Sequence, residues 1–172
     1  MKSYRRIALG TIVLAGAAVA LATLPARADS GSSDKVTPYQ EEVHVGIAAG
    51  DDRGTADSSA IPLGQRLIIE YISAFARMPK GQAVWEVLFR PTAGGSAVNT
   101  DLLMTYQSTY RNNTYDGLVS SGPVRLYADP GTKVSVDVFL ASPNGVTPAD
   151  VWVKFSGRLV PCEPGQGCPL AK

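Results

Sequence analysis

Two hydrophobic patterns divide the chain. Residues 7–24 form one charge-free apolar run rich in Ala, Leu, Val and Ile, whereas from Val43 onward apolar positions recur every second residue in short stretches broken by Gly, Pro and Asn. Period two is the repeat of side chains alternating across a sheet, so the second region predicts an all-β domain. In Val43–Ile47, Val43, Val45 and Ile47 share a face. A polar loop over 50–59 follows, then strands over 66–78, 82–90, 98–107, 117–121, 123–128, 133–141 and 151–160. Val134, Val136, Val138 and Leu140 point inward with Ser135, Asp137 and Phe139 outward, and Val151, Val153 and Phe155 point inward with Trp152 outward. About eight strands with turn signals at short intervals predict a two-layer antiparallel β-sandwich. A jelly roll is favoured over an immunoglobulin-like Greek key, since no Cys…Trp…Cys spacing occurs.

Turn chemistry supplies a register. Pro79-Lys80-Gly81 fits a three-residue hairpin, a type I turn followed by a left-handed glycine. With Met78 facing Gln82, Tyr71, Ser73 and Phe75 lie opposite Phe89, Val87 and Trp85 as a core-facing row, and Glu70 lies opposite Arg90 as a cross-strand ion pair. Pro130 and Gly131 fit the two corners of a type II turn, and Ser142-Pro143-Asn144-Gly145 and Asn112-Asn113 mark further turns.

The apolar run is read from its flanks. Lys2, Arg5 and Arg6 precede it and Pro25-Ala26-Arg27-Ala28 follows, the pattern of a secretory signal peptide cleaved between Ala28 and Asp29. An alanine-rich run is a weak membrane span, so no stable membrane insertion is expected after cleavage. Tyr4 and Ala8 depart from the twin-arginine pattern, which favours the general secretory route, and no cysteine follows the run to carry a lipid. The leader holds four basic residues and no acidic one, so the net charge of +1 becomes −3 for residues 29–172. That balance excludes the basic footprint of a nucleic-acid binder. The organisation expected is a leader over 1–28, a flexible lead-in over 29–40, a sandwich over 41–160 and a C-terminal tail over 161–172.

Little of the chain suggests chemistry. Cys162 and Cys168 flank Glu-Pro-Gly-Gln-Gly, and in an exported protein such a pair is expected to form a disulfide. Closing so short a loop contributes about 2.4 kcal/mol on the chain-entropy model. Five intervening residues do not match a redox pair, and His44, the single histidine, leaves no zinc ligand set. A serine nucleophile would need His44 beside it, but His44 lies on the strand face opposite Val43 and Val45, and no G-x-S-x-G elbow occurs. Gly94-Gly95-Ser96 reads as a loop. Glu70 as an isolated general acid is less economical than its pairing with Arg90. Glu41-Glu42 and Asp51-Asp52 read as solvated, and Asp51, Asp52 and Asp57 lack EF-hand spacing. Asn112-Asn113-Thr114 matches a glycan-acceptor triplet. No catalytic set, metal site or cofactor motif emerges.

What remains is surface recognition. Trp152 and Phe139 point away from the inward valines, and residues 106–115 interleave Tyr106, Tyr110 and Tyr115 with amides and Arg111. Aromatic faces beside amides and hydroxyls stack on sugars or form paratope-like contacts. These six residues are the candidate ligand contacts of a non-catalytic binding module with a protein or glycan partner. The alternative is a structural envelope protein that self-associates through a bare sheet edge.

The runs Ile61-Pro62-Leu63-Gly64-Gln65-Arg66-Leu67-Ile68-Ile69-Glu70-Tyr71-Ile72-Ser73, Pro79-Lys80-Gly81-Gln82 and Pro123-Val124-Arg125-Leu126-Tyr127-Ala128-Asp129-Pro130-Gly131-Thr132 look like those of a group of small exported bacterial β-sandwich proteins of unassigned function. The resemblance spans about residues 43–160. Its motifs are turns and strands, so it implies a fold and no chemistry.

Overall fold

A strand with one apolar face buries it only against a second layer. In the computed structural model, which describes residues 36–110, 114–141, 147–162 and 168, antiparallel sheets packed against each other provide that layer. One sheet contains β1 (Thr37–Ile47), β3 (Gln65–Pro79), β8 (Thr105–Tyr110), β9 (Tyr115–Ala128) and β11 (Ala149–Pro161), in the order β1-β11-β3-β9-β8. The other contains β2 (Arg53–Asp57), β4 (Val84–Arg90), β7 (Thr100–Asp101) and β10 (Ser135–Leu140), in the order β2-β10-β4-β7. Between β4 and β7, β5 (Thr92–Ala93) and β6 (Ser96–Ala97) form a small hairpin. The leader with Ala28 and Asp29, Arg111, and the turns at 112–113 and 143–145 lie outside the described residues.

The inward valines of β1, β10 and β11 are buried as their alternation predicts, and Phe89 meets Phe155 edge-on across the sheets, ring centroids 5.3 Å apart. The Pro130-Gly131 turn closes with Thr132 N donating to Asp129 O at 3.2 Å. Two predicted short strands are one, β9, and Pro123 sits where β8 no longer flanks it and no partner on that side needs its missing N–H. The stretch 50–59 contains β2, and β1 begins at Thr37, inside the segment read as a lead-in. The strand predicted over 98–107 is instead β7 and β8, separated by 102–104.

The predicted hairpin does not form. Gln82 N donates to Pro79 O at 2.9 Å and Gly81 has φ 78°, which makes Lys80 and Gly81 the corners of a type II turn. That turn runs against the right-handed twist of paired strands and splays them. β3 therefore stays between β11 and β9 while β4 crosses to the other sheet beside β10. The faces of β3 exchange accordingly: Ile72, Ala74, Ala76 and Met78 are buried, whereas Tyr71 and Phe75 are exposed. Glu70 pairs with Arg158 at 3.5 Å and Arg90 pairs with Asp137, so the predicted ion pair is replaced by two others. Asp137, read as outward, is buried beneath Arg90 and accepts a hydrogen bond from Thr55 Oγ1 at 2.6 Å.

Inward residues of β3 change parity, from Leu67 and Ile69 to Ile72 and Ala74. A β-bulge at Glu70 makes the change: Ser156 pairs with Tyr71 but Gly157 with Ile69, leaving Glu70 unmatched on the β11 side. Opposite the bulge the backbones nearly touch. A Cβ on Gly157 would lie 1.9 Å from the Ile68 carbonyl oxygen.

The C-terminal end is tied to the same region. Cys162 and Cys168 are disulfide-bonded with Cα atoms 4.3 Å apart, and Cys162 N donates to Gly64 O at 2.8 Å. Buried Arg66 donates to Asp129 Oδ1 at 2.7 and 3.1 Å and to Cys168 O at 3.4 Å. The pair is that of an oxidising compartment.

At the start of β1, Tyr39 packs on Phe155, donates to Glu41 Oε2, and Glu41 Oε1 accepts from Ser59 N at 2.6 Å. Burial first, then the Glu41 hydrogen bond and its charge, hold the Tyr39 phenol well above the ordinary tyrosine value.

Two outcomes follow. Gly157→Ala forces backbone apart and should cost at least about 2 kcal/mol in urea unfolding, more than Gly46→Ala, whose added Cβ meets nothing. Because the folded state holds the Tyr39 proton more tightly than the unfolded chain, its contribution is complete below about pH 10 and drains away as pH rises above it. Alkaline unfolding measured with phenolate absorbance should show a tyrosine step displaced above the ordinary tyrosine range, and Tyr39→Phe should remove that step.

Candidate functional site

Strand register places the predicted contact residues before any side chain is considered. Trp152 lies opposite His44 on one side and Phe75 on the other, on the outer face of the five-stranded sheet. Tyr115 is on the same face. Phe139 is on the outer face of the other sheet, between Arg53 and Glu86. Tyr106 stands exposed on edge strand β8, its hydroxyl 2.7 Å from Thr109 Oγ1, and Tyr110 is in register with Tyr115 of β9. The predicted set is therefore dispersed over two opposite faces and an edge, because Phe139 and Trp152 belong to different sheets.

The Trp152 cluster is satisfied from within. Its indole stacks on the His44 ring at 5.0 Å and 10° and on Phe75 at 5.8 Å and 24°, and the Arg77 guanidinium lies 5.6 Å from it. Arg77 also lies 5.4 Å from the Tyr115 ring. Its charge is met by Asp150 Oδ2, while Asp150 Oδ1 accepts from His44 Nε2 at 2.9 Å. Alternation along β1, β11 and β3 brings these groups into two adjacent cross-strand rows, so the cluster is a consequence of register. A ligand ring would compete with rings and a cation already in place. His44 and Asp150 do converge, on the open surface of the sheet, with His44 half exposed. Among the described residues no three His, Cys, Asp or Glu side chains are gathered as a cation site; Asp57 instead accepts from Ser135 Oγ at 2.6 Å.

A different feature lies at the β7 side of the four-stranded sheet. Phe139 pairs with Glu86 but Leu140 with Val84, so Trp85 is the extra residue of a second bulge. Val84 takes the core-side position and packs against the buried cluster, and Trp85, read from sequence as core, is 80% exposed. β7 pairs only with Leu88 and Phe89, after which Leu102 N donates to Val87 O at 2.9 Å and the chain runs on through Leu103 and Met104. Between residues 84–87 and 101–104 lies an open groove of about 240 Å³. Its apolar lining includes Leu103, which is 83% exposed, and its polar lining residues are Glu86 and Asp101. Among the described residues neither carboxylate has an ion-pair or side-chain hydrogen-bond partner, and the Trp85 ring has no aromatic or cationic neighbour.

Sequence reasoning missed this groove since a bulge has no compositional signature and strict alternation placed Trp85 with Val87 and Phe89. The available signal was the run Leu102-Leu103-Met104, apolar without alternation and therefore unable to bury all its side chains in a strand. Neither the known family models nor the curated proteins include a match to this chain.

The two tryptophans should separate on mutation. Trp152→Ala should destabilise the protein by about 2 kcal/mol or more in denaturant unfolding, and Trp85→Ala by less than about 0.5 kcal/mol.

Proposed function

We propose that the protein is an exported, non-catalytic binding module on a jelly-roll sandwich, and that its contact surface is the Trp85 groove. The observation that carries this reading is the exposure of a large aromatic ring, 80% open to solvent, beside a groove whose carboxylates are without partners among the described residues. Large apolar side chains are left in water at a cost, and when they line a concavity with a few polar groups they mark a contact site.

Export is supported by the basic start, apolar run and A-x-A end of the leader and by the cysteine pair, and a bacterial origin by the resemblance stated above. The jelly-roll reading is supported by a nested pairing of strands from the two halves of the chain, β1 with β11, β2 with β10, β3 with β9 and β4 with β7, with β1 to β4 alternating between sheets. The non-catalytic reading is supported by the commitment of the His44–Asp150 pair to a stack and to Arg77. Self-association has one observation in its favour, the uncharged edge strand β8, but that strand is short and bulged at Gln107, both of which discourage edge pairing.

A thermal-shift screen over glycans, short peptides and divalent ions tests the reading on wild type and Trp85→Ala side by side. At 100 times its dissociation constant a ligand stabilises the fold by about 2.7 kcal/mol. At least one ligand should raise the melting temperature of wild type and leave Trp85→Ala unmoved. If every ligand found acts equally on both proteins, the groove is not the contact surface.

A further inference from the structure

We infer that the groove receives a Lys or Arg side chain of a peptide, its alkyl stem on the apolar floor and its charged head between the Trp85 ring and the carboxylates of Glu86 and Asp101. This rests on the reading of the groove as the contact surface.

Charge bookkeeping across the molecule leads here. Asp129, Asp137, Asp150, Glu42 and Glu70 each face a cationic side chain of the same chain. Glu86 and Asp101 face none among the described residues, which is also true of Glu41, Asp51, Asp52, Asp57 and Asp116, but Glu86 and Asp101 line one groove at adjoining positions: Glu86 is two residues before Leu88, and Leu88 pairs with Asp101. The rings show the same pattern. Phe139 carries the Arg53 guanidinium at 5.6 Å and Trp152 carries that of Arg77 at 5.6 Å, while Trp85, the most exposed of the three, carries none from the described residues. Among the described residues no Lys or Arg lines the groove, and Arg53, in register with Phe139 two strands from Glu86, is already seated on that ring.

A cation supplied from outside would complete both patterns at once. An ammonium or guanidinium over an indole gains from the ring quadrupole, and a carboxylate beside it makes the hydrogen bonds charge-assisted. Leu103 and Met104 offer the stem of such a side chain the surface along which long basic side chains usually lie. A free inorganic cation would use the carboxylates but leave this apolar floor and the indole in water. A neutral apolar ligand would desolvate both carboxylates without compensation. The net charge of −3 over residues 29–172 draws a basic partner toward the domain.

The test is calorimetric titration of the purified protein with an acetylated, amidated leucine-lysine-leucine peptide and with its counterpart carrying norleucine at the centre. Circular dichroism first confirms that Trp85→Ala and the Glu86→Gln/Asp101→Asn double variant are folded. The lysine peptide should bind, the norleucine peptide at least tenfold more weakly. The double variant should lose at least tenfold, Trp85→Ala should lose all measurable binding, and raising salt from about 20 to about 500 mM should weaken the wild-type affinity severalfold. Absence of binding by the lysine peptide at about 5 mM, equal binding of the two peptides, or an unchanged affinity in the double variant overturns the inference. Equal binding that Trp85→Ala abolishes would remove the cation and leave the groove as the contact surface; equal binding that survives Trp85→Ala would remove both.

Discussion

Continuity of the core depends on the contact between the backbone of Ile68 and the bare Cα of Gly157. β3 is fifteen residues long and must present apolar side chains to the same interior from both its ends, yet those at its start fall on odd positions and those after Glu70 on even ones. A regular strand would bury one set and expose the other. The bulge at Glu70 reconciles them, and it fits only because position 157 of the neighbouring strand has no side chain. Everything outward from β3 inherits that shift, including the exposure of Tyr71 and Phe75 and the stacking of Phe75 on Trp152.

The two outer surfaces differ in how far they are satisfied by the chain itself. On the five-stranded sheet, rings, guanidinium and carboxylate answer one another across strands, so aromatic content there is part of the architecture. On the four-stranded sheet Asp137 is held by Arg90 and Thr55 near the centre, but toward β7 the pairing gives out and leaves ring, carboxylates and aliphatic side chains together. Density of aromatic residues is thus a poor guide to a contact surface. Whether their faces are already occupied is a better one.

How much could be read beforehand follows the range of the interaction. The valines of β1, β10 and β11 and the Pro130-Gly131 turn were legible because alternation and turn chemistry are local. The partner of β3 was not, since Pro79-Lys80-Gly81 is compatible with a hairpin or with a corner, and the choice rests on contacts with β9 and β11 distant in sequence. The bulge at Trp85 reverses the parity on which a face assignment depends and so inverted the reading of Trp85, whereas the faces of β3 were inverted by the assumed hairpin register. Asp137 shows a further limit. Its outward position is correct in register, but its burial comes from Arg90 on another strand.

The antiparallel pairing of β1 with β11 sets Thr37 beside Leu159 and Ile47 beside Ala149. The domain's first and last strands therefore enter and leave at one end, while Val84, in register with Leu140 and close to the β1–β2 connection through the Leu140 N to Asp52 O hydrogen bond, lies toward the other. Anything attached just before Thr37 or just after Pro161 would hold the domain at that end, with the indole of Trp85 toward the opposite one.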